Sequence, residues 1–400
     1  MTKMKNFILE NVSGIADELV QVRRCLHRIP EIGDELPKTK AFVCDYLDKI
    51  GVSYRLCQEG DGVIAEIQGR PGNKTIAFRA DMDALHNEEQ TDIPFRSQHP
   101  GNMHGCGHDV HTAILLLTAK QLASQRDCFA GKVRFLFQTG EETGSGAKKM
   151  IASGGIEGVD AIFALHVGNL AGDSLEAGDF AILPGFASAG KMKFTITVKG
   201  KGTHSAFPER GIDPIPVAAR IINGCEELMA RELAVGTAAV VSFGCVHAGE
   251  DHNTIPETAT IKGSVRCQDA KIREFLARRV EEISVHTAKA YRAEGLVEIK
   301  RGSESVYNDE QTAALAAEAV AAVYGRDSVH EKLPAPLMGS DDFANYAQRM
   351  PAVYFMLHTN NKQKGIVEAN HSPRFDVDED VLQRGVGAYM AIALRILNEQ

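Results

Sequence analysis

The apolar and polar positions along the chain predict alternating helices and strands up to residue 187. Leu19, Val22 and Leu26 recur every three or four residues, as on one face of a helix, and Pro30 ends that helix. The segments that follow alternate between helical spacing and short apolar runs, which is typical of an α/β layered sheet. In chain order we predict helix 39–51, strands 62–67 and 75–80, helix 112–124, strand 132–138, helix 146–152 and strand 160–167.

The pattern changes near residue 188. The segment KMKFTITVKG, residues 191–200, alternates apolar and polar residues, as a strand with one solvated face does. The elements predicted after it are helix 215–231, strands 238–245 and 258–266, helix 272–291 and strand 296–300. The order βαββαβ predicts a small sandwich of one sheet and two helices, the split βαβ arrangement.

After residue 302 the α/β pattern returns. We predict helices 309–323 and 341–349, a strand 352–357 and a last helix that begins at Glu379. A chain of 400 residues fits two domains better than one core. We therefore predict a larger domain made of residues 1–187 and 303–400, interrupted by a smaller domain of residues 188–302.

Composition and charge narrow the range of partners. The formal net charge is −9, so we expect no nucleic-acid partner, because such proteins usually carry a basic surface. The longest apolar runs fall far short of the ~20 residues that span a bilayer, so we expect no membrane partner. The first residues predict a helix and lack the features of an export signal. We therefore expect a cytoplasmic protein, in which most of the eight cysteines are reduced and structural.

The densest group of chemically active side chains is MHGCGHDVH, residues 103–111, which comes directly before a predicted helix. It contains Cys106 and His108, and thiolate and imidazole are preferred ligands of zinc, cobalt, nickel and manganese-type ions. A glycine-rich turn with Asp109 as a helix cap is the alternative. Because four ligand-type side chains occur within six positions, we favour a metal site.

Four further residues extend this group. Glu141 and Glu142 directly follow an apolar strand, where one could bind a metal and the other could accept a proton. Taken alone, the acid pair is equally typical of a solvated turn. His166 ends a strand and His371 lies in EANHSP, and each alone is more typical of a structural histidine. Together with a thiol, a histidine and a glutamate they make five ligands, enough for two ions when one group bridges.

Other candidates are ambiguous as single residues. Asp81 ends the strand in FRADMDAL, where a carboxylate can orient a histidine ligand or form a salt bridge. In the smaller domain, His204 lies in the glycine-containing loop GKGTHS, and Asn253 lies in HAGEDHNTIP. Arg266 ends a predicted strand, where a guanidinium could hold a substrate carboxylate through two parallel hydrogen bonds.

In this order the motifs resemble the dinuclear metallo-aminoacylase and carboxypeptidase family. They are most similar to the branch with hippurate hydrolase, indole-acetyl-amino-acid hydrolases, aminobenzoyl-glutamate hydrolase and N-acetyl-diaminopimelate deacetylase. The resemblance covers essentially the whole chain and rests on LHRIPE, RADMDAL, MHGCGHDVH, FQTGEE, ALHV, GKGTHSAFP, NTIP, MGSDDF and HSPRFDVDE. It implies a metallo-exopeptidase-type mixed sheet flanked by helices, which would form the catalytic domain. It also implies that the inserted domain is a ferredoxin-like lid that forms a homodimer by edge-to-edge sheet contact.

The resemblance also implies a ligand set for two divalent ions per chain, which would be Zn, Mn, Co or Ni. Cys106 would bridge the ions, His108 and His166 would bind one of them, and Glu142 and His371 would bind the other.

The remaining roles are likewise implied by the resemblance. Glu141 would be the general base and later the acid, and Asp81 would be the carboxylate next to the metals. His204 and Asn253 would polarise the scissile carbonyl. The guanidinium of Arg266 and the backbone of Gly339 would hold the substrate carboxylate. In addition, Arg79 stands where other branches have a metal-binding histidine.

The implied activity is metal-dependent hydrolysis of the amide bond of N-acyl-L-amino acids, of the hippurate or N-acetyl type, or of small C-terminal peptides. Narrower alternatives are an N-acetyl-diaminopimelate deacetylase and a dipeptidase. Two alternatives of other kinds are a cysteine hydrolase that uses Cys106 with a histidine, and an inactive metal-binding scaffold. The presence of Glu141 counts against the scaffold.

Overall fold

The structure is a computed structural model that describes residues 2–169 and 172–399. Its α-helices are α1 (Thr2–Ser13), α2 (Ala16–His27), α3 (Pro37–Lys49), α4 (His108–Ser124), α5 (Gly146–Ala152), α6 (Pro214–Arg231), α7 (Ala270–Ala290), α8 (Glu310–Tyr324), α9 (Ala344–Ala347) and α10 (Gln383–Leu397). Its strands are β1 (Tyr54–Leu56), β2 (Val63–Gln68), β3 (Arg70–Asp81), β4 (Leu85–His86), β5 (Asn102–Met103), β6 (Ala130–Gln138), β7 (Ala161–Gly168), β8 (Phe180–Ala181), β9 (Gly185–Phe186), β10 (Gly190–Lys199), β11 (Thr203–His204), β12 (Ala239–Ala248), β13 (Thr254–Ile255), β14 (Thr258–Cys267), β15 (Glu294–Arg301), β16 (Tyr307–Asn308), β17 (Val329–His330) and β18 (Ala352–His358).

The first of two compact units consists of Met1–Ala187, Val306–Leu337 and Asp341–Gln400. Its eight-stranded sheet has the order β1-β2-β6-β3-β7-β18-β8-β17. The central strands β6, β3, β7 and β18 are parallel, while β2 and β8 run antiparallel to their neighbours β6 and β18. The predicted mixed sheet flanked by helices is therefore confirmed.

Burial on both faces explains the composition of the central strands. Every residue of β7 (AIFALHVG) and β18 (AVYFMLH) is buried, and parallel strands covered on both sides read as continuous apolar runs. Helices α4 and α10 pack on one face, where the ring centroids of Phe78 and Tyr389 lie 4.4 Å apart. Because β6, β3, β7 and β18 are parallel, their carboxyl ends lie at one edge of the sheet.

The second unit consists of Ser188–Ser305 and Met338–Ser340. Its four-stranded sheet has the order β12-β14-β10-β15, and all its pairs are antiparallel. Residues from α6 and α7 pack against the sheet around Ile196 and Ile261. The elements follow one another as βαββαβ, as in the pattern of the sequence. The unit extends three residues beyond the expected boundary at 302 and includes a separate short segment at 338–340.

Two predicted helices in the last part of the chain differ from the structure. The helix expected at 341–349 is reduced to Ala344–Ala347, and before it the side chain of Asp341 accepts the N–H of Phe343 at 2.7 Å while Asp341 and Asp342 bind Arg79. The helix expected from Glu379 starts as a 3-10 turn, and its α-helical part begins at Gln383. Within the described residues, none of the helices combines the length and apolar character that a bilayer crossing requires.

Candidate metal centre

The candidate site lies at the edge of the sheet where the central parallel strands end. β3 ends at Asp81, β6 leads to Glu141, and β7 carries His166. Helix α4 starts at this edge after Gly107, whose φ is +85°. A Cβ at Gly107 would lie 2.6 Å from Val167 Cγ2, so only glycine lets the start of α4 approach β7 this closely. The structure also starts α4 at His108, four residues before the predicted Thr112.

The first cluster of possible ligands is Cys106, His108 and His166, whose ligand atoms lie within 4.8 Å of one another. All three side chains are buried, and Cys106 Sγ lies 3.5 Å from His166 Nε2. His108 Nδ1 lies 2.7 Å from the carbonyl oxygen of Asp83, and His166 Nδ1 lies 2.8 Å from that of Val167. Each Nδ1 therefore carries the proton, which leaves each Nε2 lone pair for a metal ion.

The second cluster is Cys106, Glu142 and His371, again within 4.8 Å. His371 Nε2 lies 3.4 Å from Glu142 Oε1. The backbone of His371 has φ +72°, and its N–H donates to the carbonyl oxygen of Gly105 at 2.7 Å. This bond fastens the His371 segment to the Cys106 segment. Because Cys106 belongs to both clusters, its thiolate is placed to bridge two ions.

Two buried atoms support the assignment of a metal site. Among the described residues, His108 Nε2 is buried without a hydrogen-bond partner, and buried Glu142 Oε1 has only the 3.4 Å ion-pair contact with His371 Nε2. An unsatisfied buried polar group lowers the stability of the fold by about 1–3 kcal/mol, and an ion bound at these two atoms would remove this cost. One thiol, imidazole nitrogens and a carboxylate form a donor set that suits zinc, cobalt, nickel or manganese. The residues present therefore fit divalent ions.

The carboxylate of Asp83 binds the backbone of both adjacent glutamates, Glu141 and Glu142. The N–H groups of Glu141 and Glu142 donate to its two carboxylate oxygens, each at 3.1 Å. Glu141 Oε1 accepts the N–H of Asp342 at 3.2 Å, whereas Glu142 faces His371.

The two carboxyls titrate differently in the ion-free chain. Burial and the carboxylates of Asp341 and Asp342 raise the pKa of Glu141 well above its ordinary value. Burial also acts to raise the pKa of Glu142, but His371 and His108 outweigh it and lower that pKa. Neighbouring acids with such different environments are suited to different roles, one as ligand and one as proton carrier.

A buried arginine, Arg79, binds three carboxylates at the site. Arg79 Nε donates to Gln138 Oε1 at 3.0 Å, and its Nη2 lies 2.8 Å from Asp342 Oδ1 and 3.2 Å from Asp341 Oδ1. Its Nη1 pairs with Asp81. One guanidinium therefore fixes three carboxylates, which would otherwise repel one another.

Asp81 is held from a second side by His111. His111 Nδ1 lies 2.6 Å from Asp81 Oδ1, and His111 Nε2 accepts the N–H of Val167 at 2.9 Å. Both ring nitrogens of His111 are thus occupied, so this histidine positions Asp81 and is not free to be a ligand. Asp81 Oδ2 lies 3.8 Å from His108 Nε2, next to the first cluster.

The other predicted site residues lie in the second unit, in two pairs. His204 pairs with Thr254 across β11 and β13, next to Asn253, whose carbonyl accepts the N–H of Ser205 at 2.9 Å. The guanidinium of Arg266 donates to the carbonyl oxygen of Met338 at 3.0 Å, beside Gly339.

Sequence reasoning assigned no role to several residues that the structure brings to the site. Asp83 and His111 lie inside motifs that were recognised, RADMDAL and MHGCGHDVH, and Asp341 and Asp342 lie inside MGSDDF. A repeated acid at the end of a strand was the available signal. The partners of these residues are distant in the chain, so the local sequence pattern does not predict their roles.

A glutamate with a raised pKa beside two clusters of possible metal donors is typical of a metal-dependent hydrolase. A model of peptidase family M20/M25/M40 matches residues 77–395. The chain is 35% identical to thermostable carboxypeptidase 1 of Saccharolobus solfataricus, over 99% of both chains. It is 33% identical to N-acetyl-L-cysteine deacetylase of Bacillus subtilis, over 97% of this chain and 90% of the other.

A solved structure is also similar along the whole chain. It is a dinuclear metal-binding peptidase of the M20 family from Bacillus subtilis, with a TM-score of 0.82 and 32% identity over 96% of this chain and 99% of that one. The chain belongs to peptidase family M20/M25/M40. It is a metal-dependent hydrolase of amide bonds, and the predicted family and enzyme class are confirmed. The donor clusters and the dinuclear relative support the binding of divalent metal ions.

Proposed function

We propose that this chain hydrolyses the amide bond of N-acyl-L-amino acids, of the hippurate or N-acetyl type, or of small C-terminal peptides. The names of the deacetylase and carboxypeptidase relatives support this range of substrates. The observation that carries the proposal is the position of Glu141, within 4.8 Å of His108 and Glu142 and directly beside both ligand clusters.

Two divalent ions per chain are proposed, with Cys106 shared between them. His108 and His166 would hold one ion, and Glu142 and His371 the other. When bound, such ions lower the pKa of a water molecule and polarise the substrate carbonyl.

Glu141 moves the proton. Its Oε1 accepts the N–H of Asp342, and the carboxylate keeps further lone pairs that can accept the proton of the attacking water. The same carboxyl group then delivers the proton to the departing amine. The raised pKa of Glu141 in the ion-free chain suits a carboxyl that holds a proton between two steps.

We propose that His204 and Asn253 polarise the scissile carbonyl. The N–H of Ala206 donates to His204 Nδ1 at 3.0 Å, so the proton of the neutral ring lies on Nε2. That N–H is exposed and is a suitable donor to a carbonyl oxygen as it becomes negative. Asn253 Oδ1 accepts from the Thr254 hydroxyl at 3.1 Å, which leaves the amide N–H groups for a substrate.

Arg266 and the exposed backbone of Gly339 are proposed to bind the substrate carboxylate. The Met338 carbonyl engages Nη1 of Arg266, which holds the guanidinium in one orientation. A homodimer through the outer edge of β12 is also proposed. In its favour, β12 is a terminal strand of its sheet and exposes Val240 and Val246.

The cysteine-hydrolase alternative is disfavoured by the surroundings of Cys106. Burial raises the pKa of its thiol well above the ordinary value, whereas a nucleophilic cysteine needs a lowered one. The neighbouring His108 acts to lower the pKa of the thiol, but burial outweighs this effect.

The decisive experiment is a substrate screen on the purified chain after loading with manganese, zinc, cobalt or nickel. The panel contains acetyl- and benzoyl-amino acids, N-acetyl-diaminopimelate and dipeptides, with the Glu141→Gln chain as the control for contaminating activity. We expect hydrolysis of at least one panel member, abolished by chelation and retained after mild thiol alkylation of the metal-loaded enzyme. Activity that survives chelation but not alkylation would instead support a cysteine hydrolase. Bound metal without any hydrolysis would support the scaffold.

A further inference from the structure

One buried guanidinium in α2 bonds to both segments that carry the proposed ligands. Arg23 is 1% exposed, although arginine is rarely buried in proteins. Its Nε donates to Asp109 Oδ2 at 2.9 Å, and its Nη1 donates to Glu379 Oε1 at 3.0 Å. Its Nη2 lies 3.3 Å from Asp376 Oδ1.

The partners of Arg23 are placed directly beside the ligands in the chain. Asp109 follows His108 in the first turn of α4, three residues after Cys106. Asp376 and Glu379 follow His371 by five and eight residues. Arg23 therefore connects the Cys106–His108 segment with the segment that begins at His371.

Neighbouring side chains hold this connection in one geometry. The guanidinium carbons of Arg23 and Arg24 lie 4.8 and 4.7 Å from the ring centroid of Phe95. Arg24 also pairs with Glu379, and His27 Nδ1 lies 2.8 Å from Asp109 Oδ2. The planar guanidinium is thus fixed by a ring on its face and by carboxylates at its edge.

Stability alone does not account for such a network. Buried ion pairs lose much of their Coulomb attraction to the cost of desolvation, and well-packed apolar side chains are often at least as stabilising. What the network does provide is a fixed distance between two segments. The two ligand clusters share Cys106 while His371 comes from the other segment, so the proposed centre requires that distance to be correct.

We propose that Arg23 is a positioning residue for the metal centre, which holds the Cys106–His108 and His371 segments at the spacing that two ions require. This role rests on the proposed two-ion centre. Without this connection the backbone bond from His371 to Gly105 still joins the two segments, but their spacing is held less firmly, which weakens metal binding. Outer partners of ligands commonly contribute 10–100-fold to metal affinity, and we expect an effect in that range.

The test measures metal binding directly. The metal-free chain is titrated with Mn²⁺, and free Mn²⁺ is followed by its electron paramagnetic resonance signal. We expect Arg23→Met to bind Mn²⁺ about 10–100-fold more weakly than the wild type. Arg23→Lys should recover part of the affinity, because an ammonium keeps the charge but lacks the planar fork.

Arg134→Met is the matched control. Arg134 is also a largely buried arginine paired with a carboxylate, at 2.9 Å from Glu66, but its partner lies in β2 and in neither ligand segment. We expect this variant to lose thermal stability while it keeps the wild-type affinity for Mn²⁺. The combined change Asp376→Asn with Glu379→Gln leaves the buried Arg23–Asp109 pair intact and should also weaken Mn²⁺ binding. If Arg23→Met does not fold, the combined variant therefore tests the positioning role of Arg23.

The outcomes separate this role from the proposed centre. Wild-type affinity in both Arg23→Met and the combined variant would overturn the positioning role alone. Equal weakening in Arg134→Met would also overturn it, because general destabilisation would then explain the result. A wild-type chain that binds no Mn²⁺ would overturn the two-ion centre and the positioning role together.

Discussion

Glu141 and Glu142 are adjacent in the chain, yet their carboxyl groups face different partners. Asp83 accepts both of their N–H groups, so the backbone of the pair is fixed before either side chain is considered. From that fixed point, Glu142 turns toward His371 and Cys106, and Glu141 turns toward the loop of Asp341 and Asp342. The proposed roles, Glu142 as ligand and Glu141 as base, rest on this geometry.

Matched substitutions in this pair should have different effects. Glu141→Gln keeps the size of the side chain and all proposed ligands, so it should retain metal while turnover falls by about 10²–10⁴-fold or more. Glu142→Gln removes a ligand charge and should lose metal. Metal content by elemental analysis, together with steady-state kinetics, checks both. If Glu142→Gln kept its metal and Glu141→Gln lost it, the roles would have to be exchanged.

At the same scale, the sequence predicts a candidate site whose ligand atoms lie close together in the structure, but local patterns do not distinguish the contacts of each side chain. His108 and His111 stand three positions apart in one motif and are equally good candidates by composition. Their roles are decided by Asp83, which engages Nδ1 of His108, and by the N–H of Val167, which engages Nε2 of His111. Those partners come from elsewhere in the sheet, so no local pattern reveals them.

Among the elements, α2 carries an acid-sensitive contact with the segment that follows β4. Burial would raise the pKa of Glu89, but His27, the Thr91 hydroxyl and the Ser97 N–H lower it to about 2. Since the ordinary value is 4.5, the folded chain binds this proton less readily than the unfolded chain. The ionised Glu89 carboxylate, through these three partners together, therefore stabilises the fold above about pH 4.5 by on the order of 3 kcal/mol, and this stabilisation is lost as the pH falls toward 2.

Glu89→Gln should remove this pH dependence. The free energy of unfolding of the wild type should exceed that of the variant most clearly at pH 6, and the difference should shrink at pH 4 and again at pH 3. Urea denaturation of both metal-free chains at these three pH values measures the difference. A difference that stays constant from pH 6 to pH 3 would show that the Glu89 carboxylate does not titrate with folding.

Element types were predictable where burial is regular. β7, β18 and α5 follow the sequence pattern to within a residue or two, because their apolar residues meet a core at constant spacing. The helix expected at 341–349 is shorter: Asp341 accepts the N–H of Phe343 in a turn before the helix, and both Asp341 and Asp342 bind Arg79 of β3. Where side chains bind a charged group that is distant in the chain, local periodicity predicts the wrong helix boundary.

For the whole molecule, the open question is what the second unit contributes to catalysis. His204 lies in that unit, and we expect His204→Ala to leave folding and metal content unchanged, because its proposed partner is the substrate. Turnover should fall by about 10²–10³-fold, the range for loss of one donor to a developing negative charge. Circular dichroism, elemental analysis and steady-state kinetics test the three parts of this prediction.

His252→Ala provides the control from the same unit. The His252 side chain is 95% exposed, and its only described contact is with the neighbouring Asp251, so its removal should leave turnover unchanged. A similar fall in both variants would contradict a specific role for His204. Unchanged turnover in His204→Ala would mean that this histidine takes no part in the reaction.

The order of strands in the main sheet has a consequence for how the protein is made. β18 lies between β7 and β8, but it is synthesised only after the entire second unit. Until then, β7 presents an apolar strand with one unpaired edge, a known template for aggregation. His371 leaves the ribosome later still, so a nascent chain cannot yet hold the full set of metal donors. A growing chain therefore exposes that edge during synthesis, and the proposed two-ion centre can be completed only after residue 371 has left the ribosome.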